Sequence, residues 1–139
     1  MALADYAREK TLNHLFGNIP VWVSQSTYYI GLARGTIQND GGNLADIEFS
    51  GGGYTRKSYD NTVSNWTNAS SGVVTNSSVI SWDQATTSWG TTTHFFIANN
   101  SNVGESSGLM VIGQLSEPKI ISIYDYPAFA ASSITVSID

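Results

Sequence analysis

Few side chains in this sequence have the chemistry that acid–base or nucleophilic catalysis requires. The two histidines, His14 and His94, lie far apart in the chain, and His94 is followed directly by two phenylalanines. A histidine within an aromatic run is typical of a packed position rather than of a base or a ligand. Ser-Gly-Gly at 50–52 resembles a protease nucleophile region, but the preceding Gly-Asp pair is missing. We therefore expect that the protein is not an enzyme.

The sequence gives little support for a cation or cofactor site. Asp40, Asp46 and Glu48 could surround calcium, but their spacing is not that of an EF-hand, and acidic residues beside glycines are typical of turns. Gly51 to Gly53 precede no Gly-Lys-Ser/Thr, so they do not form a phosphate loop. Cysteine is absent, which excludes disulfides and thiolate metal sites. We expect no cofactor, although a paired-carboxylate glycosidase site stays open because any two strands could supply it.

The charge balance restricts the classes of partner. Only 12% of the residues are charged, the formal net charge is −5, and the six basic residues are scattered, which argues against nucleic-acid binding. No apolar run is long enough to cross a bilayer, and the N-terminal residues lack the apolar segment of a signal peptide. Serine, threonine and asparagine dominate the polar residues, and a surface with so few charges is unusual for a free cytosolic monomer. The composition favours a component of an assembly that is made in the cytoplasm.

Residues 79–99 contain the densest run of aromatic and β-branched residues. They predict two core strands that meet at Trp89-Gly90, because such side chains suit a pleated, half-buried surface. Trp82 and Trp89 are the expected anchors of the core, since a buried indole removes a large apolar area from water.

One helix is predicted, over residues 3–16. Arg8, Glu9 and Lys10 lie between apolar residues spaced three and four apart, and Gly17 provides a stop signal. The helix is amphipathic, and two interpretations are open: a lid that packs on the β core, which we favour, or an arm that docks on a neighbouring subunit. The apolar residues are Leu3, Tyr6, Leu12, Leu15 and Phe16.

Short strands account for most of the remaining chain. They are predicted at residues 21–32, 46–49, 54–59, 109–115, 119–124 and 129–138, with a break at Glu117-Pro118. A polar loop at 61–72 carries Trp66, which we expect to fold back onto the core. About eight short strands and one helix predict a mainly β protein, an antiparallel β-sandwich or jelly roll with one N-terminal amphipathic helix. Residues 1–139 are expected to form a single domain, with residues 1–18 as a helix packed on it or extending from it.

Seven short motifs follow one another along nearly the whole chain. They are Ala-Asp-Tyr at 4–6, Leu-Asn-His-Leu-Phe-Gly at 12–17, Tyr-Tyr-Ile-Gly-Leu at 28–32, Gly-Gly-Tyr-Thr-Arg at 52–56, Ile-Ser-Trp at 80–82, Trp-Gly-Thr-Thr-Thr-His-Phe at 89–95 and Ile-Thr-Val-Ser-Ile-Asp at 134–139. Their order and spacing resemble a family of small structural proteins of tailed-bacteriophage virions. Members are labelled tail-fibre-like, while similar small β-sandwiches decorate or cement capsids. The resemblance implies a location in the virion.

Several positions depart from the pattern of that family. The loop at 35–42 is longer, Phe96 stands where a small residue is common, and both Pro118-Lys119 and residues 124–127 are particular to this chain. The loop departures lie in connections, where partner contacts usually differ.

Three functions are compatible with the sequence. The first is a non-enzymatic capsid decoration or cement protein that binds the major capsid protein over its joints, together with copies of itself, for which the symmetry of decorated capsid sites suggests a trimer. The second is a tail fibre-base or baseplate component that contacts other tail proteins or host-surface glycan, on which Trp22, Trp66 and tyrosines could stack. The third is a glycan depolymerase. Of these, the sequence favours capsid decoration.

Six residues are the predicted partner contacts. They come from the N-terminal helix, from the glycine-rich segment and from the tryptophan loop, and they are Tyr6, His14, Gly52, Tyr54, Arg56 and Trp66.

Overall fold

The computed structural model describes residues 2–17 and 25–138. Within them, two helices and nine strands follow one another along the chain. They are β1 (Ala2–Leu3), α1 (Asp5–Leu15), β2 (Thr27–Ala33), α2 (Leu44–Ile47), β3 (Lys57–Asp60), β4 (Val73–Thr75), β5 (Ile80–Ser81), β6 (Gly90–Ala98), β7 (Leu109–Ile121), β8 (Ala128–Phe129) and β9 (Thr135–Ser137). Trp22, one of the predicted glycan contacts, lies outside the described residues.

A five-stranded antiparallel sheet forms the centre of the molecule, with the strand order β1-β7-β6-β2-β3. Two cross-strand pairs join a phenylalanine to a glycine: Phe96 lies opposite Gly31, and Phe95 lies opposite Gly113. A Cβ atom at either glycine would collide with the phenylalanine ring. The rings therefore cover the glycines on opposite faces of the sheet, an arrangement that strengthens glycine positions in strands.

Both faces of this sheet are buried. The cluster on one face contains residues of the sheet itself: Ile30, Leu32, Tyr59, Phe95, Ile97, Met110, Val111 and Ile121. The rest of the chain contributes Ala7, Phe49, Tyr54, Ile80, Trp82, Ala85, Trp89 and Ile134. The smaller cluster on the other face consists of Ala4, Ala33, Ile37, Leu44, Phe96, Ala98, Leu109 and Ile112. Because apolar side chains alternate between two covered faces, the central strands read as nearly continuous apolar runs.

Two short antiparallel ribbons accompany the sheet: β4 pairs with β9, and β5 pairs with β8. Phe129 of β8 packs edge-on against Phe95 of the sheet, with ring centroids 5.3 Å apart, and lies 6.0 Å from the ring of Trp82. The predicted strand at 129–138 is thus divided between two ribbons. The prediction of a mainly β, antiparallel fold with one N-terminal helix is confirmed, with a large sheet faced by short ribbons.

Residues 79–99 supply the core as predicted, although their two strands belong to different sheets. Trp82 and Trp89 are only 4% and 7% exposed. Trp89 packs against Phe49 and Tyr54, at ring separations of 6.1 and 5.3 Å. Its indole N–H donates to the carbonyl oxygen of Gly52 over 2.8 Å. Both tryptophans are therefore confirmed as anchors of the core.

The strand predicted at 46–49 is wrong. Leu44–Ile47 form one helical turn, α2, and Glu48 is joined to Ala33 by an isolated bridge. Leu44 is fully buried and Ile47 packs against the same cluster. Residues three apart share a face of a helix but point to opposite sides of a strand, so a helical turn allows both to reach this core.

The predicted break at Glu117-Pro118 is also wrong, because β7 runs through both residues. Its pairing with β6 shifts register between the Thr92–Lys119 and His94–Gln114 pairs. The bulge absorbs Pro118, which lacks the N–H that a regular ladder needs. The strand predicted at 54–59 begins only at Lys57, since Tyr54 and Arg56 turn into the interior.

The helix is confirmed as Asp5–Leu15, but only its first half acts as a lid. Ala7 is fully buried, and Leu3 and Tyr6 pack against the larger cluster. Leu12, Leu15 and Phe16 are 56%, 68% and 76% exposed. The second half of the predicted apolar face therefore points into solvent, as in the arm interpretation.

Replacement of Trp89 by alanine tests the core. We expect Trp89→Ala to lower the free energy of unfolding by about 3–5 kcal/mol, because it leaves a cavity and removes the hydrogen bond to Gly52. Chemical denaturation measures this change. Tyr124→Ala, at a side chain that is 69% exposed, is the matched control and should change stability by less than about 0.5 kcal/mol. Equal effects of the two variants would contradict the assignment.

Candidate functional site

The structure brings two of the six predicted contact residues together and separates the others. Tyr54 and Arg56 are 5% and 4% exposed and meet in the interior. Tyr6 and His14 lie on α1, the first half-buried and the second exposed, and Trp66 is half-buried in its loop. Their contact with a partner stays a prediction. The interior pair, however, belongs to the most polar constellation in the described part of the chain.

Arg56 and Glu48 form a fully buried ion pair. The guanidinium Nε donates to Oε1 of Glu48 over 2.9 Å, and Nη2 donates to Oε2 over 2.9 Å. Both side chains have 0% exposure. This bidentate geometry is the strongest way to pair arginine with a carboxylate, because two parallel hydrogen bonds also fix the orientation.

The remaining donors of Arg56 reach the loop between β6 and β7. Nη1 donates to the carbonyl oxygen and to Oδ1 of Asn100, at 3.2 and 3.1 Å, and Nη2 donates to the carbonyl oxygen of Glu105 at 2.8 Å. All five N–H groups of the guanidinium thus have partners. The guanidinium also lies over the ring of Phe96, 4.9 Å from its centroid, which is within cation–π range.

Glu48 is equally saturated. Oε1 accepts a second hydrogen bond from the Tyr54 hydroxyl at 2.9 Å, and Oε2 accepts one from the backbone N–H of Gly104 at 2.6 Å. The Tyr54 oxygen in turn accepts the backbone N–H of Leu32 at 3.0 Å. We call these residues the Arg56–Glu48 network. Because its donors and acceptors already have partners, the network holds three chain segments together and does not serve as an acid, a base or a cation site.

The network changes the acidity of one member. Burial raises the pKa of Tyr54 far above its ordinary value of 10.0, and the negative charge of Glu48 raises it further. The phenol therefore keeps its proton, as a donor to Glu48, at pH values where an ordinary tyrosine ionises.

The other candidates for chemistry do not converge. His14 is exposed on α1, and His94 lies in β6 with Nδ1 2.8 Å from the Thr93 hydroxyl. Partial burial lowers the pKa of His94, so the ring is neutral at pH 7. Asp40 accepts the N–H of Gly42 in a turn, while Glu48 is held by Arg56. Within residues 2–17 and 25–138, no three His, Asp or Glu residues form a group that could hold a metal ion.

Trp66 folds back onto the core, as predicted. Its ring lies edge-on against Tyr59, with the centroids 5.2 Å apart. The indole nitrogen is buried and has no hydrogen-bond partner among the described residues. Gly52 supports the core in another way, since its carbonyl oxygen accepts the N–H groups of Trp89 and Thr86.

A cleft of about 630 Å³ opens beside the sheet. Parts of β6 and β7 line one side, residues 125–129 line the other, and we call it the β7–β8 cleft. Leu32, Trp82 and Phe95 extend its lining into the core, while Glu117, Lys119 and Tyr126 lie at exposed positions. No pattern in the sequence indicated this site, because its two walls belong to different sheets that meet only in the folded chain. The one signal was the unusual segment at 124–127.

Several large apolar side chains are exposed around these elements. One group lies at the end of α1. Another begins near the end of β7 and continues after it, with exposures of 73% at Ile120, 69% at Tyr124 and 67% at Tyr126. Apolar groups that gather on a surface indicate contacts with other molecules. In the part of the chain that the structure describes, no helix is both long and apolar enough to cross a membrane.

Comparison with protein families identifies the family of this chain. A protein-family model described as "Podophage GP4 fiber I protein gp80" matches residues 2–137. No curated protein sequence matches the chain significantly. The match covers nearly the whole chain, including both halves of the Arg56–Glu48 network and the β7–β8 cleft.

Breaking the buried ion pair tests its structural role. We expect Arg56→Met to lower the free energy of unfolding by about 3–5 kcal/mol, because Glu48 would keep a buried charge without its partner. The double variant Glu48→Gln/Arg56→Met should lower the free energy of unfolding by less than the sum of the losses in the two single variants. Lys119→Met is the control, since Lys119 and Glu117 form a pair 3.4 Å apart with side chains 66% and 75% exposed. Lys119→Met should lower the free energy of unfolding by at most about 1 kcal/mol. An equally small loss in Arg56→Met would contradict the structural role of the buried pair.

Alkaline titration tests the state of Tyr54. Above about pH 10 the unfolded chain loses the Tyr54 proton while the native protein retains it, so the unfolded state binds fewer protons. Stability is thus fully present below pH 10 and falls as the pH rises further. We expect phenolate absorbance to show that Tyr54 ionises only on unfolding. The Tyr54→Phe variant should lose that component, and an unchanged alkaline titration in this variant would contradict the assignment.

Proposed function

Because this chain belongs to the podophage GP4 fiber I protein gp80 family and is a structural protein of the phage virion, we propose that it is a fibre component of the phage tail. The observation that carries the proposal is the extent of the family match, from residue 2 to residue 137. A match over nearly the whole chain applies to the domain as a unit and not to one shared motif.

The chemistry of the interior supports a non-enzymatic role. The buried Arg56 and Glu48 are saturated by hydrogen bonds, and the two histidines share no hydrogen bond in the described part of the chain. A catalytic group needs a lone pair or a proton that can reach a substrate. The polar network holds loops in place instead, as expected of a protein that presents a rigid surface.

The partners we propose are other proteins of the tail and copies of this chain. Membership of a fiber family implies contacts with other virion proteins. Leu12, Leu15 and Phe16 project from the end of α1 and are more than half exposed. A neighbouring subunit that covers them in an assembled particle would remove apolar area from water. Few charged groups would be buried at the same time, since only 12% of the chain is charged. We propose this end of the helix as a contact with a neighbouring subunit.

The capsid decoration role favoured by the sequence lacks comparable support. The family description names a fiber, and many copies over capsid joints would be needed for a cement protein. The two locations differ in copy number and position, so one set of measurements separates them.

Quantitative mass spectrometry of purified virions tests the location. We expect far fewer copies of this chain than of the major capsid protein, because a tail has few fibre positions whereas a capsid lattice has many. Gold-labelled antibody against the chain should mark the tail in electron micrographs, with an antibody against the major capsid protein as the control. A ratio close to that of the major capsid protein, with label over the head, would restore the capsid role, and absence from virions would contradict both.

A further inference from the structure

We infer that the β7–β8 cleft binds an uncharged saccharide. This inference deepens the proposed function and rests on it in one respect, since a fibre component is exposed to glycans outside the particle. The size, the aromatic surface and the charge of the cleft each favour such a ligand.

The cleft has the dimensions of a ligand site. Its volume of about 630 Å³ lies within the range of roughly 300–1,000 Å³ that is usual for small-molecule sites. It is open on one side and lies between a rigid sheet and the ordered segment 125–129, which is held by β5–β8 pairing and by the hydrogen bond from Trp82 N–H to the Pro127 oxygen.

Aromatic rings line the cleft at two depths. Tyr126 is 67% exposed, so its ring presents apolar surface to water that a ligand could cover. Phe129 is half-buried in the same lining and packs against Phe95 and Trp82, at ring separations of 5.3 and 6.0 Å. A sugar ring has an apolar C–H face and polar hydroxyl edges. A tyrosine offers the matching combination of an apolar ring and a hydroxyl group.

The polar groups of the cleft are suited to hydroxyls. Gln114 and Ser116 line it with exposed side chains that make no hydrogen bond to other described residues. An amide offers both donors and acceptors, as does a hydroxyl, so either can bind a sugar hydroxyl in the role it requires.

The charges of the cleft disfavour anionic ligands. Glu117 and Lys119 lie 3.4 Å apart and offset each other. The carboxylate of Asp125 accepts the backbone N–H of Ser122 at 2.7 Å and so is used within its own turn. With no cluster of basic side chains in the lining, a phosphate or a polyanion would find little attraction.

A peptide fits less well than a saccharide. The edge of β7 away from β6 has no strand partner among the described residues beyond Ile112, so an extended peptide would bind there by strand addition. Pro118 lies within this edge and cannot donate a hydrogen bond, and the bulge around it interrupts the register. The edge is therefore protected against peptides, while the side chains of the cleft stay accessible.

Glycan binding by the full chain tests the inference. The probe is a microarray of bacterial surface oligosaccharides, followed by calorimetric titration of the sugars that bind. We expect the chain to bind neutral oligosaccharides, and we expect Tyr126→Ala and Gln114→Ala each to weaken binding about tenfold, which corresponds to about 1.4 kcal/mol. Tyr124→Ala is the matched control, because Tyr124 is 69% exposed, lies two residues away and is not part of the lining. It should bind as the unmodified chain does.

Three outcomes would overturn the inference. They are absence of binding to any sugar on the array, equal binding by Tyr126→Ala and Tyr124→Ala, and binding of an unstructured peptide library in place of sugars. Thermal unfolding of each variant confirms that it is folded, which is expected because both Tyr126 and Gln114 are exposed. The location in the virion is measured separately: a tail protein that binds no sugar would refute only this inference, whereas a sugar-binding protein on the capsid would refute only the proposed function.

Discussion

The buried ion pair between Arg56 and Glu48 is the constraint on which the loops of this fold depend. Taking two charges out of water costs several kcal/mol for each ion, so the pair is tolerable only if every remaining donor and acceptor is also satisfied. That requirement positions Tyr54 against Leu32 and draws the loop around Gly104 onto Glu48. The ladder of the sheet does not specify any of these loop positions. Here the pair joins Glu48 and Arg56 to the loop at 100–105, which lies at least 44 residues further along the chain than its partner in each hydrogen bond.

The packing of the core around this pair also explains why apolar side chains remain on the surface, where a partner can contact them. The five-stranded sheet buries both of its faces, and the ribbons, α1 and α2 cover them with few charged groups. Two elements nevertheless leave apolar side chains exposed to solvent: Leu15 and Phe16 at the end of α1, and Ile120 near the end of β7. Such residues are stable in water one at a time, but in groups they favour association. The assembly role therefore follows from the same packing that makes the domain stable.

The structure also separates the polar groups into two kinds with different functions. Interior groups, led by the Arg56–Glu48 network, are saturated and serve the fold. Groups in the β7–β8 cleft, such as Gln114, keep unused donors and acceptors and lie beside the exposed ring of Tyr126. For a virion protein of a fiber family, recognition through surface groups and rigidity through interior groups is a consistent division.

The sequence by itself determined the class of the protein. Period-two patterns and dense β-branched residues predicted an antiparallel β protein, the spacing of apolar residues predicted α1, and the two tryptophans of residues 79–99 were recognised as core anchors, because these signals are local. Tertiary structure alone decided the rest. Leu44 enters the core on a helical turn, Pro118 sits inside a strand, and Tyr54 and Arg56, predicted as partner contacts, lie in the interior. Each outcome depends on contacts that a local pattern does not contain, such as Asn100 and Glu105 for Arg56, or β6 for the bulge around Pro118. No local pattern records such a partner, since the free energy that selects it arises only when the segments meet.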